Sequence, residues 1–175
     1  MTKIASKRMR YPLFLDLTGQ PVTVIGGGRV ATRKVRSLLS AGAGVTVISP
    51  AATTTIQSWA RQRRLRWVHR GYRPGDLRGA WLVVAATDSA EVNCRVCTDA
   101  KRRRRPVNCI APPAAGNFIV PAVARRGGIT VAISTDGASP AFASKLRQDL
   151  ERFLARGYVG RLKMMASQRQ RRKRS

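Results

Sequence analysis

Gly26-Gly27-Gly28-Arg29-Val30-Ala31 fits the spacing G-x-G-x-x-A, a pattern able to hold the diphosphate of a dinucleotide. The three small residues of that pattern have separate physical uses. Gly26 permits a tight turn, Gly28 lets the backbone approach a pyrophosphate, and Ala31 lets a following helix lie close to a sheet. A helix starting at such a turn points free backbone N–H groups and a partial positive charge at the phosphates. The chemistry suggested is hydride transfer with a nicotinamide cofactor. Further on, Val47-Ile48-Ser49-Pro50 offers no acid for the ribose hydroxyls, so spacing alone leaves both NAD and NADP open.

Such a turn works only between a strand and a helix. Pro21-Val22-Thr23-Val24-Ile25 is a short apolar run suited to a strand buried on both faces. From Arg29 the period changes: Val30, Ala31, Val35, Leu38 and Leu39 recur at helical spacing, and Ala41-Gly42-Ala43-Gly44 stops the helix. Val45 to Ile48 is the next strand. This strand, helix and strand make one βαβ unit. The alternation continues with helix 53–64, strand 65–69, strand 81–86, helix 89–104 and strand 106–110. The pattern specifies an α/β fold, a Rossmann-type doubly wound parallel sheet.

After Pro112-Pro113 the grammar shifts. Strands are expected at 117–121 and 129–134, separated by Ala122 to Gly128, as an antiparallel excursion. Ser139-Pro140 starts a helix running to about Leu154, with Phe142, Leu146, Leu150 and Phe153 on one stripe. The remainder is expected to be short, basic and frayed.

Charge and composition set further bounds. The 175 residues carry 34 Lys and Arg against 8 Asp and Glu, a formal charge of +26. Basic residues run through the whole chain, with clusters at 101–105 and 169–174. Such a surface attracts polyanions, including small molecules bearing several carboxylates. Nothing in the sequence reads as a DNA-reading helix or interleaves aromatic with basic residues, so nucleic acid is not the expected partner. No apolar run approaches a membrane span, and Met1 to Arg10 lacks the apolar core of a signal peptide, so a cytoplasmic setting is expected. Three cysteines without an export signal argue against a disulfide framework.

Several stretches together resemble the precorrin-2 dehydrogenase/sirohydrochlorin ferrochelatase module of siroheme synthases. They are Tyr11-Pro12-Leu13-Phe14-Leu15-Asp16-Leu17 leading into Val24 to Lys34, then Ala85-Ala86-Thr87-Asp88 with Val92-Asn93, and Pro106-Val107-Asn108. Phe118-Ile119-Val120-Pro121 and Ala132 to Pro140 follow in order. The resemblance implies NAD-dependent oxidation of precorrin-2, a tetrapyrrole polycarboxylate, to sirohydrochlorin, in a homodimer. It also implies three parts: an NAD-binding Rossmann domain at 1–113, a small β dimerisation segment at 114–147, and a short C-terminal helical part with a basic tail at 148–175. The candidate cofactor-binding residues are Gly26, Gly28, Arg29, Val30, Pro50, Ala51, Thr87 and Asn93.

The family's catalytic aspartate falls at Ala111, whose methyl group can neither accept a proton nor ligate a metal. Iron insertion is therefore not expected. Hydride transfer, which depends on positioning the nicotinamide against the ring, remains the expected activity. The alternative is a non-catalytic homologue that binds a tetrapyrrole or a dinucleotide. Thr135 matches a hydroxyl position of the family's site and is the catalytic candidate, its plain reading being a turn-former in Thr135-Asp136-Gly137. The helical part is also shorter than the family's, with about twenty residues after Phe153.

Weaker signals have structural readings. Cys94 and Cys97 lie on one predicted helix with no second pair to complete a metal site, so both are expected as small buried hydrophobes and no metal is expected. Asp88 and Asn93 follow the apolar strand at its C-terminal edge, where open α/β sheets bind ligands; their plain readings are a helix cap for Asp88 and a helix-surface place for Asn93. His69 lies at a strand end.

Overall fold

The computed structural model describes residues 10–155 and 157–172. The N-terminal reading of residues 1–9 and the end of the basic tail at 173–175 lie outside the described residues. The chain divides into two compact units, the first ending at Ile119 and the second beginning at Val120.

The first unit is built from β1 (Pro21–Ile25), α1 (Arg29–Ser40), β2 (Gly44–Ile48), α2 (Thr54–Arg61), β3 (Arg66–Val68), β4 (Leu82–Ala85), α3 (Ala90–Arg102) and β5 (Val107–Cys109). All five strands are parallel, in the order β3-β2-β1-β4-β5. The order reverses between β1 and β4, the crevice where open α/β sheets bind ligands. Strand alternation divides the core between the two faces. Val22, Val24, Val45, Val47 and Val84 pack with Ala31, Val35 and Ile56. Ile25, Ile48, Val83, Ala85 and Val107 pack with Val96, Cys97 and Ala100.

Helix ends follow local chemistry. α1 closes at Gly42, whose φ of 76 suits glycine, while Ala43 N–H bonds back to Leu38 O at 3.1 Å. α2 stops at Arg61, short of the expected Arg64, because Arg63 turns the chain at φ 55 and Arg64 N–H bonds back to Trp59 O. α3 carries Glu91 in its first turn and Lys101 and Arg102 in its last, which complements the helix dipole.

Residues 114–119, expected in the second segment, belong to the first unit. Asn117 N–H donates to Val107 O at 2.9 Å, Val107 N–H donates to Asn117 Oδ1 at 2.7 Å, and Asn108 Nδ2 donates to Phe118 O at 3.1 Å. These bonds line the outer edge of β5, and Phe118 packs on the core.

In the second unit, β6 (Ala122–Arg126) and β7 (Ile129–Ile133) form an antiparallel hairpin from Ala122↔Ile133 to Arg126↔Ile129. The strand expected at 117–121 is therefore corrected to 122–126. Gly127 and Gly128, both at positive φ, make the two-residue turn that fixes this register. α4 (Pro140–Ala155) starts as expected, with Ser139 Oγ accepting from Phe142 N–H at 3.1 Å. The frayed tail is also corrected: after Gly157, at φ 105, the chain forms α5 (Tyr158–Arg172). The α4 stripe is only partly covered, with Phe142 59% and Phe153 49% exposed.

Candidate dinucleotide-binding site

The three glycines divide into two that the protein itself needs and one that it leaves open. A Cβ on Gly26 would lie 2.1 Å from Ala86 O, and one on Gly27 would lie 2.1 Å from Ala51 O and 2.5 Å from Ser49 Oγ. The loops after β4 and β2 thus close directly onto the turn. A Cβ on Gly28 meets nothing within 4 Å. Gly28 is also the N-cap of α1, where no side chain caps the helix and no acid stands in the first turn. Arg29 and Val30 are exposed, while Ala31 is fully buried against the sheet, as its place in the motif requires. An uncapped helix start facing open space fits a diphosphate.

Hydrogen bonds hold this cradle from the β2 side. Thr53 N–H donates to Gly27 O at 2.9 Å. Thr32 Oγ1 donates to Gly28 O at 2.9 Å, so the 2.7 Å contact between Thr32 and Thr53 is the Thr53 hydroxyl donating. Thr53 Oγ1 in turn accepts from Ile56 N–H and caps α2. Ser49, at the position where an acid would meet the ribose, is buried, and Trp67 Nε1 donates to its carbonyl at 3.1 Å and its hydroxyl at 3.2 Å. Pro50 and Ala51 are the exposed residues at that edge.

Across the crevice, Asn93 is fully buried, which overturns its plain reading as a helix-surface residue. Its Oδ1 accepts from Thr87 N–H at 3.0 Å and from Thr87 Oγ1 at 2.8 Å. Its Nδ2 donates to Thr87 O at 3.0 Å and to Ala111 O at 3.1 Å. The amide is saturated, so Asn93 acts on this edge by tying the β4 loop to the β5 loop. Asp88 does not cap α3. Ser89 does, accepting from Val92 N–H at 3.2 Å. Ala111 is exposed, with its carbonyl held by Asn93.

Thr135 lies in the second unit. Its hydroxyl accepts from Ser139 N–H and donates to Ser139 O, both at 3.2 Å, bracing the turn before α4. Cys94 is exposed, contrary to expectation, whereas Cys97 and Cys109 are buried. Burial and the adjacent Cys109 push the Cys97 thiol up to about 12. Among the described residues, no three His, Cys, Asp or Glu side chains are grouped to hold a metal, and no helix is long and apolar enough to cross a membrane. His69 is exposed and stacks on Trp67 at 4.6 Å. Sequence reasoning missed the roles of Gly27, Thr53 and Trp67, which depend on contacts between loops far apart in the chain. The run Thr53-Thr54-Thr55 was the one cue to a cap on α2.

Comparison with known proteins agrees with this geometry. A family model described as putative NAD(P)-binding matches residues 13–122, and one described as sirohaem biosynthesis protein central matches residues 126–152. The precorrin-2 dehydrogenase of Bacillus subtilis is 32% identical over 158 residues, covering 90% of this chain and 97% of that protein. The chain belongs to the precorrin-2 dehydrogenase family. A solved structure of this family, SirC, precorrin-2 dehydrogenase, superposes with a TM-score of 0.78 at 32% identity, covering 90% of this chain and 78% of that one. The siroheme synthase of Methylobacillus flagellatus is 41% identical over 157 residues. The chain spans about a third of that relative's length (33%), so the likeness is to one module of a longer protein.

Proposed function

We propose that this chain catalyses the NAD-dependent oxidation of precorrin-2 to sirohydrochlorin. The observation that carries the reading is the open cradle at Gly28, in a chain that matches a precorrin-2 dehydrogenase over nearly its whole length. Gly28 and the N–H groups of Arg29 and Val30 hold the diphosphate, with Gly26 keeping the turn closed on the β4 loop. Pro50 and Ala51 lie against the adenosine ribose. Thr87, oriented by Asn93, faces the nicotinamide half of the crevice. When bound, NAD supplies the two-electron acceptor. The chain's own contribution is to hold it at the β1–β4 crevice and to attract a polycarboxylate ring by its charge of +26.

Three finer points belong to the same proposal. The chain works as a homodimer, in which a second copy covers the exposed Phe142 and Phe153 stripe of α4 and residues 120–147 act as the dimerisation segment. The Thr135 hydroxyl serves the tetrapyrrole side of the reaction, and the setting is cytoplasmic. Iron insertion is outside the proposal because Ala111 presents only a methyl group. The test is incubation with precorrin-2 and NAD. Sirohydrochlorin absorbance and NADH are expected to rise together, and NAD binding without turnover would sink the activity while leaving the cradle.

A further inference from the structure

The oxidation proposed above removes two hydrogens from the tetrapyrrole, and only one of them leaves with an electron pair. The other departs as a proton and needs an acceptor at the crevice. Among the described residues of the first unit, the strand ends bordering the β1–β4 crevice offer few candidates. The loop after β1 leads to Arg29, whose guanidinium is a hydrogen-bond donor only, and the loop after β2 has no titratable group between Ser49 and Thr53. The loop after β5 runs Ile110-Ala111-Pro112-Pro113. His69 follows β3, three strands from β4 and so roughly 14 Å away at ordinary strand spacing. Cys109 is buried in the core beneath. That leaves Asp88 and Glu91, both in the segment that follows β4.

Asp88 is the better placed of the two. It is exposed and forms no hydrogen bond or ion pair among the described residues, although the chain carries 34 cationic side chains. The structural job expected of it, capping α3, is done by Ser89. Its neighbour Thr87 touches both sides of the crevice. Thr87 N lies 3.0 Å from where a Gly26 Cβ would stand, and Thr87 O shares the Asn93 Nδ2 donor with Ala111 O. Asp88 is therefore anchored through one rigid residue between the glycine turn and the β5 loop. Glu91 lies in the first turn of α3, past the Ser89 cap.

We infer that Asp88 is the general base of the oxidation, a reading that rests on the proposed activity. One substrate hydrogen leaves its carbon with the bonding electrons, to be accepted by oxidised NAD. The second leaves as a proton to the Asp88 carboxylate, and the electron pair it leaves behind forms the new double bond of the ring. From the exposed carboxyl the proton passes to water.

The experiment compares the wild-type chain with Asp88→Asn, Asp88→Ala, Asp88→Glu and Glu91→Gln. Loss of a positioned base lowers kcat by about 10²-fold or more in Asp88→Asn and Asp88→Ala, while Asp88→Glu keeps part of the rate. Formate or acetate restores turnover of Asp88→Ala in proportion to its concentration, which a structural role would not allow. Measured without turnover, Kd values for NAD and for sirohydrochlorin stay within about twofold of wild type in Asp88→Asn, since the carboxylate serves the transition state and not the ground state. Glu91→Gln keeps wild-type kcat. A kcat for Asp88→Asn within about threefold of wild type, or a loss that no small carboxylate relieves, overturns the assignment. A wild-type chain that binds NAD but leaves precorrin-2 unchanged overturns the proposed activity instead, and the two failures are told apart by that control.

Discussion

The side-chain amide of Asn93 and the backbone carbonyl of Ala111 lie 3.1 Å apart across the gap between α3 and the loop after β5. The same nitrogen also holds Thr87 O, so one buried amide fixes the spacing of the loops after β4 and β5.

Replacing Asn93, whose amide is fully buried, by Ala removes the partner of the Thr87 N–H and of the Thr87 and Ala111 carbonyls. The expected loss is about 1–3 kcal/mol of unfolding free energy, measured by urea titration. Turnover falls further than NAD affinity, because Thr87 and Ala111 drift while the glycine turn stays intact. An unchanged stability would mean that water replaces the amide without penalty.

Gly27→Ala and Gly28→Ala separate architecture from ligand binding. The first forces a methyl group onto Ala51 O and Ser49 Oγ, so the chain is expected to lose stability and its β2 loop geometry. The second meets open space at an extended backbone angle, so thermal unfolding is unchanged. NAD affinity in Gly28→Ala should nevertheless fall by about tenfold or more, roughly 1.4 kcal/mol, as a methyl group enters the diphosphate's place. Calorimetry with NAD checks both; full affinity in Gly28→Ala would move the diphosphate elsewhere.

Asp76 ties down the segment after β3, accepting two hydrogen bonds from Arg70 at 2.6 and 2.8 Å. The Arg70 guanidinium holds its carboxyl below the usual carboxylate range, with help from Arg73 N–H. A carboxyl lowered in this way adds stability above its unfolded pKa and loses it as pH falls through the folded value. Asp76→Asn should therefore melt roughly 2–4 °C below wild type at neutral pH. The gap should narrow as acid protonates the wild-type carboxyl. A gap that is constant down to strong acid would assign the loss to packing.

Thiol reactivity should follow burial. Cys94 is exposed, whereas Cys97 is held as a thiol by burial and by its contact with Cys109. A thiol reagent at neutral pH is expected to modify Cys94 alone in the native chain and all three cysteines in denaturant. Rapid native labelling of Cys97 would show that α3 opens from the sheet.

The first unit was largely legible because its periodicity changes cleanly. The run before Gly26 is buried from Val22 to Ile25, with Thr23 its one polar residue, and α1 then buries Ala31 and Val35 at helical spacing. What escaped were features decided by distant parts of the chain. Phe118-Ile119-Val120 has a strand's composition, yet Phe118 is held at the edge of β5, and the Gly127-Gly128 turn sets the hairpin four residues later. α5 was hidden by its basic residues, which dilute the spacing of Tyr158, Leu162 and Met165. The glycine motif identified the cradle, but no local pattern shows that Gly27 is required by the carbonyl of Ala51 or that Asn93 faces inward. Asp88 had two readings for a related reason: an acid ahead of a helix resembles a cap until the neighbouring serine is seen to occupy that role.

The indole of Trp67 gives the molecule an optical property of its own. Its N–H is bonded to Ser49, one residue before the loop that meets the cofactor's ribose in the proposed mode. Tryptophan emission overlaps the absorption of reduced nicotinamide, so energy absorbed by this ring can pass to NADH formed nearby. Quenching of Trp67 would then register each arrival and departure of the reduced cofactor, with no dye attached and no second enzyme in the cuvette.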